Sequence, residues 1–167
     1  VGIPCNTFHA PPIWNRFQDS VRQLPRVELV HMLAETNSLV EARAPGATRV
    51  GLMSTTGTRA SGVYRGHLQG TIVEVAEGSQ GGLHEAIYNP EWGVKATAPV
   101  TSRAREAFEE YASELLDAGA EAIVLGCTEI PLALPESEFN GVPLVDPMLA
   151  LARALVRRAA PQQLKPL

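Results

Sequence analysis

Residues 121–132 read EAIVLGCTEIPL. An aliphatic run passes straight into a thiol, a hydroxyl and a carboxylate, those of Cys127, Thr128 and Glu129. A short continuous apolar run bounded by small polar residues reads as a strand covered on both faces, the kind that builds parallel sheets. The same grammar occurs twice more. VGIP (1–4) precedes Cys5, Asn6 and Thr7, and TRVGLM (48–53) precedes STTGT (54–58). Cys5 and Cys127 are the only cysteines of the chain, so two rare residues share near-identical settings.

The intervening stretches fill in the architecture. TIVEVAE (71–77) predicts a further strand, and SLVEARA (38–44) has helical spacing that stops at Pro45-Gly46. TSRAREAFEEYASELLDAG (101–119) is the clearest helix. Thr101 and Ser102 supply a cap, Phe108, Ala112 and Leu115 form a stripe, and Gly119 gives the stop. VDPMLALARALVRRAA (145–160) predicts a last helix with Pro147 in its first turn, and Asp146 either supports a site or, the favoured reading, caps that helix. The basic cluster RALVRRAA (153–160) is that helix's polar face. Strands alternating with helices predict an α/β fold with a largely parallel sheet. Ligands bind such sheets beyond the carboxyl ends of the strands, where all three polar stretches fall. Singly, each stretch is an ordinary set of turn and cap residues. Together, with both thiols among them, they mark a site.

Composition narrows the classes. A chain of 167 residues forms one domain or two small ones, and 45% hydrophobic residues provide a core. A net charge of -4 offers no footprint for nucleic acid or an anionic membrane. No apolar stretch approaches the roughly 20 residues of a membrane span, and no signal-peptide pattern is present. Neither a nucleic-acid nor a membrane partner is expected. Two cysteines in distant segments make a poor disulfide framework and predict reduced thiols in a cytoplasmic protein. The chain opens on Val1 rather than a methionine, with Cys5 close behind, so it reads as cut into rather than begun.

The thiols admit several chemistries. A thiol between a strand and a helix N-terminus is expected to have its pKa lowered from about 8.5. As a nucleophile it needs a base, but nothing marks His9 as one, and His9 reads as a hydrogen-bonded structural residue. Cys5 and His9 would make half of a zinc site, yet no Cys or His near Cys127 completes it, so no metal site is expected. Redox chemistry of the thioredoxin kind wants Cys-x-x-Cys, which is absent. Two matched thiols on opposite sides of a pocket suit inversion of a carbon centre, one taking a proton and the other returning it.

The motifs carry a family resemblance. IPCNTFHA (3–10), GLMSTTGT (51–58) and LGCTEIPL (125–132) resemble, in order and separation, the cofactor-independent aspartate/glutamate racemases. IYNPEWGVKA (87–96) is similar to that family's segment between the second and third motifs. GCTE resembles the aspartate and broad-specificity branch, since the glutamate racemases of cell-wall synthesis usually have histidine where Glu129 stands. The resemblance implies an isomerase without cofactor or metal, and two α/β domains of parallel sheets flanked by helices. It makes Cys5 and Cys127 the catalytic acid/base pair. Asn6, Thr7, Thr56, Thr58 and Thr128 would bind the α-carboxylate and amino group of an amino-acid substrate. Lys95 would meet the substrate's carboxylate, or is a solvated surface residue. Glu129 would orient its neighbours or bind the amino group, or cap the following turn.

The same resemblance implies a missing segment before Cys5. Residues 36–142 would form the complete second domain, and 1–35 with 143–167 a remnant of the first. An uncovered sheet flank invites pairing, so a second copy in a dimer is one way to close it. The expected function is racemisation of aspartate or glutamate by proton transfer between the two cysteines. The alternatives are another two-cysteine enzyme, such as a maleate isomerase or hydantoin racemase, and an inactive ligand-binding domain.

Overall fold

The aliphatic runs on either side of the chain's middle lie next to each other as the two central strands of one sheet. The computed structural model describes residues 1–167. Its strands are β1 (Arg49–Ser54), β2 (Thr71–Glu74), β3 (Ala122–Gly126), β4 (Glu138–Phe139) and β5 (Val142–Val145). Their order is β2-β1-β3-β5-β4. Every pairing is parallel except that of β4 with β5. The expected α/β fold with a mostly parallel sheet is therefore the observed one.

The helices are α1 (Pro11–Val21), α2 (Met32–Arg43), α3 (Thr56–Ser61), α4 (Glu77–Tyr88), α5 (Ser102–Asp117), α6 (Ile130–Ala133) and α7 (Pro147–Ala159), and α2 with α7 and α4 with α5 cover the two faces. Strand alternation divides the core between those faces. Val50, Leu52, Ala122, Val124 and Val145 meet α2 and α7, while Met53, Ile123, Leu125 and Leu144 meet α4 and α5. The two clusters hold 18 and 17 buried residues, so neither face of the sheet is left open. α5 presents Ala104, Phe108, Ala112 and Leu115, capped by the Thr101 hydroxyl accepting from the Ala104 N–H at 3.1 Å. Gly119 follows at φ 83°, a conformation glycine adopts without strain. Asp146 caps α7 by accepting from the Met148 N–H at 2.8 Å.

The chain start departs from expectation. VGIP forms no strand: a single bridge joins Gly2 to Val30, and no longer ladder is available to it. The Val30 N–H donates to the Val1 carbonyl at 2.8 Å, and Gly2 lies so near α7 that a Cβ there would stand 2.5 Å from Leu151 Cδ1. Residues 7–9 form one 3₁₀ turn. His9 is buried there with both ring nitrogens engaged. Nε2 accepts from the Met32 N–H at 3.3 Å, which leaves Nδ1 to donate to the Cys5 carbonyl at 2.8 Å. The structural reading of His9 is what the geometry shows.

His9 belongs to an aromatic stack. Its ring lies parallel to Trp14 at 4.7 Å, His31 meets it edge-on at 4.6 Å, and His67 stacks on His31 at 4.4 Å. Burial lowers all three histidine pKa values, and His31, also facing the charges of its two neighbours, falls to about 4. The folded chain thus binds fewer protons than the unfolded chain once the pH drops below about 6.5. Stability contributed by these rings is complete above that pH and is lost as the pH falls toward 4. Urea unfolding at pH 7, 5.5 and 4.5 should show a progressive loss, and His31→Phe should flatten the slope in that window. A midpoint independent of pH between 7 and 4.5 would contradict the neutral stack.

Candidate active site

At the carboxyl edge of the sheet, the last rung between β1 and β3 pairs Ser54 with Gly126. The residues that follow, Thr55 and Cys127, therefore leave the sheet as neighbours. Gly126 is required by this close approach. A Cβ there would stand 2.7 Å from Leu52 Cδ1 and 2.9 Å from the Met53 carbonyl oxygen.

The loop after β1 is held by its own hydroxyls. Thr55 Oγ1 accepts from the Thr58 N–H at 3.1 Å and donates to Thr58 Oγ1 at 3.1 Å. Thr55 and Thr58 are buried, whereas Thr56 is exposed. Gln80 on α4 donates to the Ser54 carbonyl at 3.0 Å, and Arg59 donates to Gln80 Oε1 at 3.0 Å. These bonds dock α4 beside the loop.

The Cys5 segment comes to the same edge from far along the sequence. Thr7 Oγ1 and Thr58 Oγ1 lie 2.9 Å apart, and the buried Tyr64 hydroxyl donates to Asn6 Oδ1. Burial raises the Tyr64 pKa well above its ordinary value, so the phenol stays protonated and remains a donor. Cys5 itself is exposed and Cys127 buried, and both are free thiols.

The loop carrying Lys95 folds back along α4. Asn89 Oδ1 accepts from the Glu91 and Trp92 N–H groups, and Val94 and Lys95 donate to the Ala86 and Ile87 carbonyls at 2.9 and 3.0 Å. Gly93 lies against Asn89, where a Cβ would stand 2.5 Å from the backbone nitrogen. Lys95 Nζ is thereby delivered to Glu129 Oε1 at 2.9 Å, with the Tyr88 ring 5.0 Å away. The other carboxylate oxygen, Oε2, accepts from the Cys127 thiol at 3.0 Å and from the Thr128 hydroxyl at 2.8 Å.

This arrangement corrects one expectation. The Cys127 pKa is not lowered by its position after a strand. Burial, and then the hydrogen bond to the Glu129 carboxylate, push it up to about 12 against the opposing pull of Lys95. The backbone N–H of Glu129 does pull it down, but burial and the carboxylate outweigh that pull. Burial would raise Glu129 as well, but hydrogen bonds from Cys127, Lys95 and Thr128 outweigh it and hold that carboxyl below its ordinary range.

Of the residues marked in the sequence, Asn6, Thr7 and Thr58 form one connected group, and Lys95, Cys127, Thr128 and Glu129 form another. Thr56 makes neither set of contacts. Sequence reading missed Thr55, Tyr64 and Gln80. Thr55 alone had a local signal, because the Thr55–Thr58 spacing is that of a hydroxyl cap.

Comparisons with known proteins place the sequence and the fold. A family model described as Asp/Glu/Hydantoin racemase matches residues 1–155. A glutamate racemase from a Synechococcus species is 30% identical over 165 residues, covering 93% of this chain and 54% of that protein. The Picrophilus torridus aspartate racemase structure has a TM-score of 0.71 and 27% identity, over 95% of this chain and 61% of that one. The Francisella tularensis glutamate racemase in complex with D-glutamate, at 19% identity and a TM-score of 0.66, shares the fold over 99% of this chain and 58% of its own. The chain thus spans little more than half the length of these relatives.

The glycine before Cys127 offers a direct check. Gly126→Ala should overpack the β1–β3 seam at a cost of about 1–3 kcal/mol. Thermal unfolding should show a lowered Tm, with Cys127 more accessible to thiol reagents. An unchanged Tm would mean that the seam has slack.

Proposed function

The chain belongs to the Asp/Glu/Hydantoin racemase family, and from that premise we propose that it inverts the Cα centre of an acidic amino acid, aspartate or glutamate. The observation that carries this reading is the gathering of three distant motif segments at one sheet edge, through the Thr7–Thr58 contact and the Ser54–Gly126 rung. Cys5 and Cys127 act as the two bases. A thiolate on Cys5 takes the Cα proton, and the Cys127 thiol gives its proton to the opposite face of the carbanion. The product has inverted configuration, and the two sulfurs have exchanged protonation states. The enantiomer then runs the same path in reverse.

Charge developing on the substrate's α-carboxylate is met by hydroxyl and amide donors, for which Asn6, Thr7, Thr56, Thr58 and Thr128 are the candidates. The ammonium of Lys95 at this edge favours an acidic side chain. The mechanism asks for no cofactor, and it needs reduced thiols, as the cytoplasm provides. Residues 1–35 and 143–167 are grouped here as part of one domain, with 36–142 as the other. Arg158–Glu28 at 2.8 Å, and Arg157–Glu35 and Arg158–Glu35 at 2.7 and 2.9 Å, join those two stretches, while the boundaries themselves fall inside α2 and β5. No helix is long and apolar enough to cross a membrane.

The test is exchange of the Cα hydrogen in heavy water by the full gene product, followed by chiral chromatography. Cys5→Ser and Cys127→Ser should each abolish racemisation, with exchange from one enantiomer as the most either retains. Racemisation of a hydantoin instead of aspartate or glutamate would move the proposal to another branch, and no exchange with any substrate would leave a binding domain. Full racemisation by either serine variant would exclude the two-base mechanism.

Lys95→Ala removes a charge-assisted hydrogen bond of about 1.5–3 kcal/mol. The kcat/KM for acidic substrates should fall about ten- to a hundredfold more than that for neutral amino acids. Equal losses for aspartate and alanine would show that Lys95 does not read the side chain.

A further inference from the structure

The carboxylate of Glu129 bridges a cation and a thiol. Oε1 is 2.9 Å from Lys95 Nζ, while Oε2 accepts the Cys127 S–H at 3.0 Å and the Thr128 O–H at 2.8 Å. All four lone-pair directions of a carboxylate are available in such a bridge, and three are used here. Lys95, read from the sequence as a substrate contact, has a carboxylate partner inside its own chain.

We propose that Glu129 is a positioning residue that retains the proton on Cys127, and that Lys95 sets the strength of that grip; this rests on the racemase reading only for its catalytic meaning. The charge count gives the reason. One ammonium and one carboxylate neutralise each other, so the third member of a half-buried trio is most stable without charge. Ionising Cys127 would set two anions within 3.0 Å of one another against a single cation. The other ionisable groups facing this thiol are Lys95 from the loop after α4 and the buried phenol of Tyr64, which is neutral; Asp146, which follows β5, also faces that phenol. The burial of Cys127 acts in the same direction as Glu129.

The consequence for turnover is an ordered resting state. Cys127 waits as the acid, and Cys5, exposed and with no carboxylate on its sulfur, is left as the base. The free protein is then primed for one enantiomer, and the other has to meet the less populated partition. Lys95 takes on a second task beside substrate recognition. By withdrawing charge from Glu129 it weakens the hold on the thiol proton and keeps that proton transferable.

Two substitutions test this through opposite signs. The pH profile of alkylation by iodoacetamide is measured separately for Cys5 and Cys127 by peptide mass spectrometry. Glu129→Gln removes the anion and leaves Lys95 beside the sulfur, so Cys127 alkylation at pH 9 should rise at least about tenfold while the Cys5 profile stays in place. Lys95→Met removes the cation, and Cys127 should then react more slowly than in the parent chain. General loosening of the site would accelerate Cys127 in both variants, so two increases would overturn the proposal. An unchanged or slower Cys127 in Glu129→Gln would do the same. Should Glu129→Gln fail to fold, a Lys95→Met profile that is unchanged or faster is sufficient to reject it. None of these readouts requires racemisation, so a failed Cα-exchange assay sinks the function without touching this result.

Discussion

The parallel pairing of β1 with β3 is the constraint on which the rest of the molecule depends. Five consecutive rungs, from Val50–Ala122 to Ser54–Gly126, fix the register. A slip of one residue would turn Cys127 and every core side chain of β3 to the opposite face. Glu121 secures the start of that register, its carboxylate accepting from the Thr48 and Arg49 N–H groups at 2.6 and 2.9 Å. Gly126 secures the end by letting the strands close without a side chain between them. Between these points the register decides which loops leave the sheet together, and therefore which polar groups can share a site.

The grammar of an aliphatic run followed by small polar residues was legible because buried parallel strands leave little choice of composition. It worked for β1 and β3, whereas VGIP makes a single bridge, from Gly2 to Val30. α5 and α7 carried their own caps and stripes and could be read directly. α1 was overlooked although Ile13, Trp14, Phe17 and Val21 recur at helical spacing, and of these only Trp14 is buried. α4 was hidden by Gly81 and Gly82, poor helix formers. The structure explains the second of these: a Cβ on Gly82 would stand 2.2 Å from the Tyr111 hydroxyl. Helix packing has overridden propensity there.

The chemistry of the site was less legible than its membership. Sequence spacing brings Cys127, Thr128 and Glu129 together trivially, but it cannot say which way a carboxylate turns. Only the fold-back of the Asn89–Lys95 loop over α4 brings an ammonium to Glu129. Burial and the Glu129 carboxylate, with that ammonium opposing them, reverse the electrostatics expected for a thiol at a strand end. Tyr64 was equally invisible, because its role is defined by Asn6, 58 residues away.

The two thiols are built into the molecule with very different stiffness. Cys127 ends a fully buried central strand and is held through Glu129. Cys5 lies on an irregular segment held by a few polar contacts: Thr7 with Thr58, Asn6 with Tyr64, and the His9 ring with the Cys5 carbonyl. A reaction that needs both sulfurs within about 1 Å of productive positions depends on the weaker of the two attachments. His9 bears most on that, because its Nδ1–H fixes the Cys5 backbone while its Nε2 ties the same ring to the start of α2. Protonating that ring would replace the Nε2 acceptor with a donor facing the Met32 N–H. The buried, neutral histidine stack is therefore part of what positions Cys5, and the stability of the chain start and the geometry of the site respond to acid together.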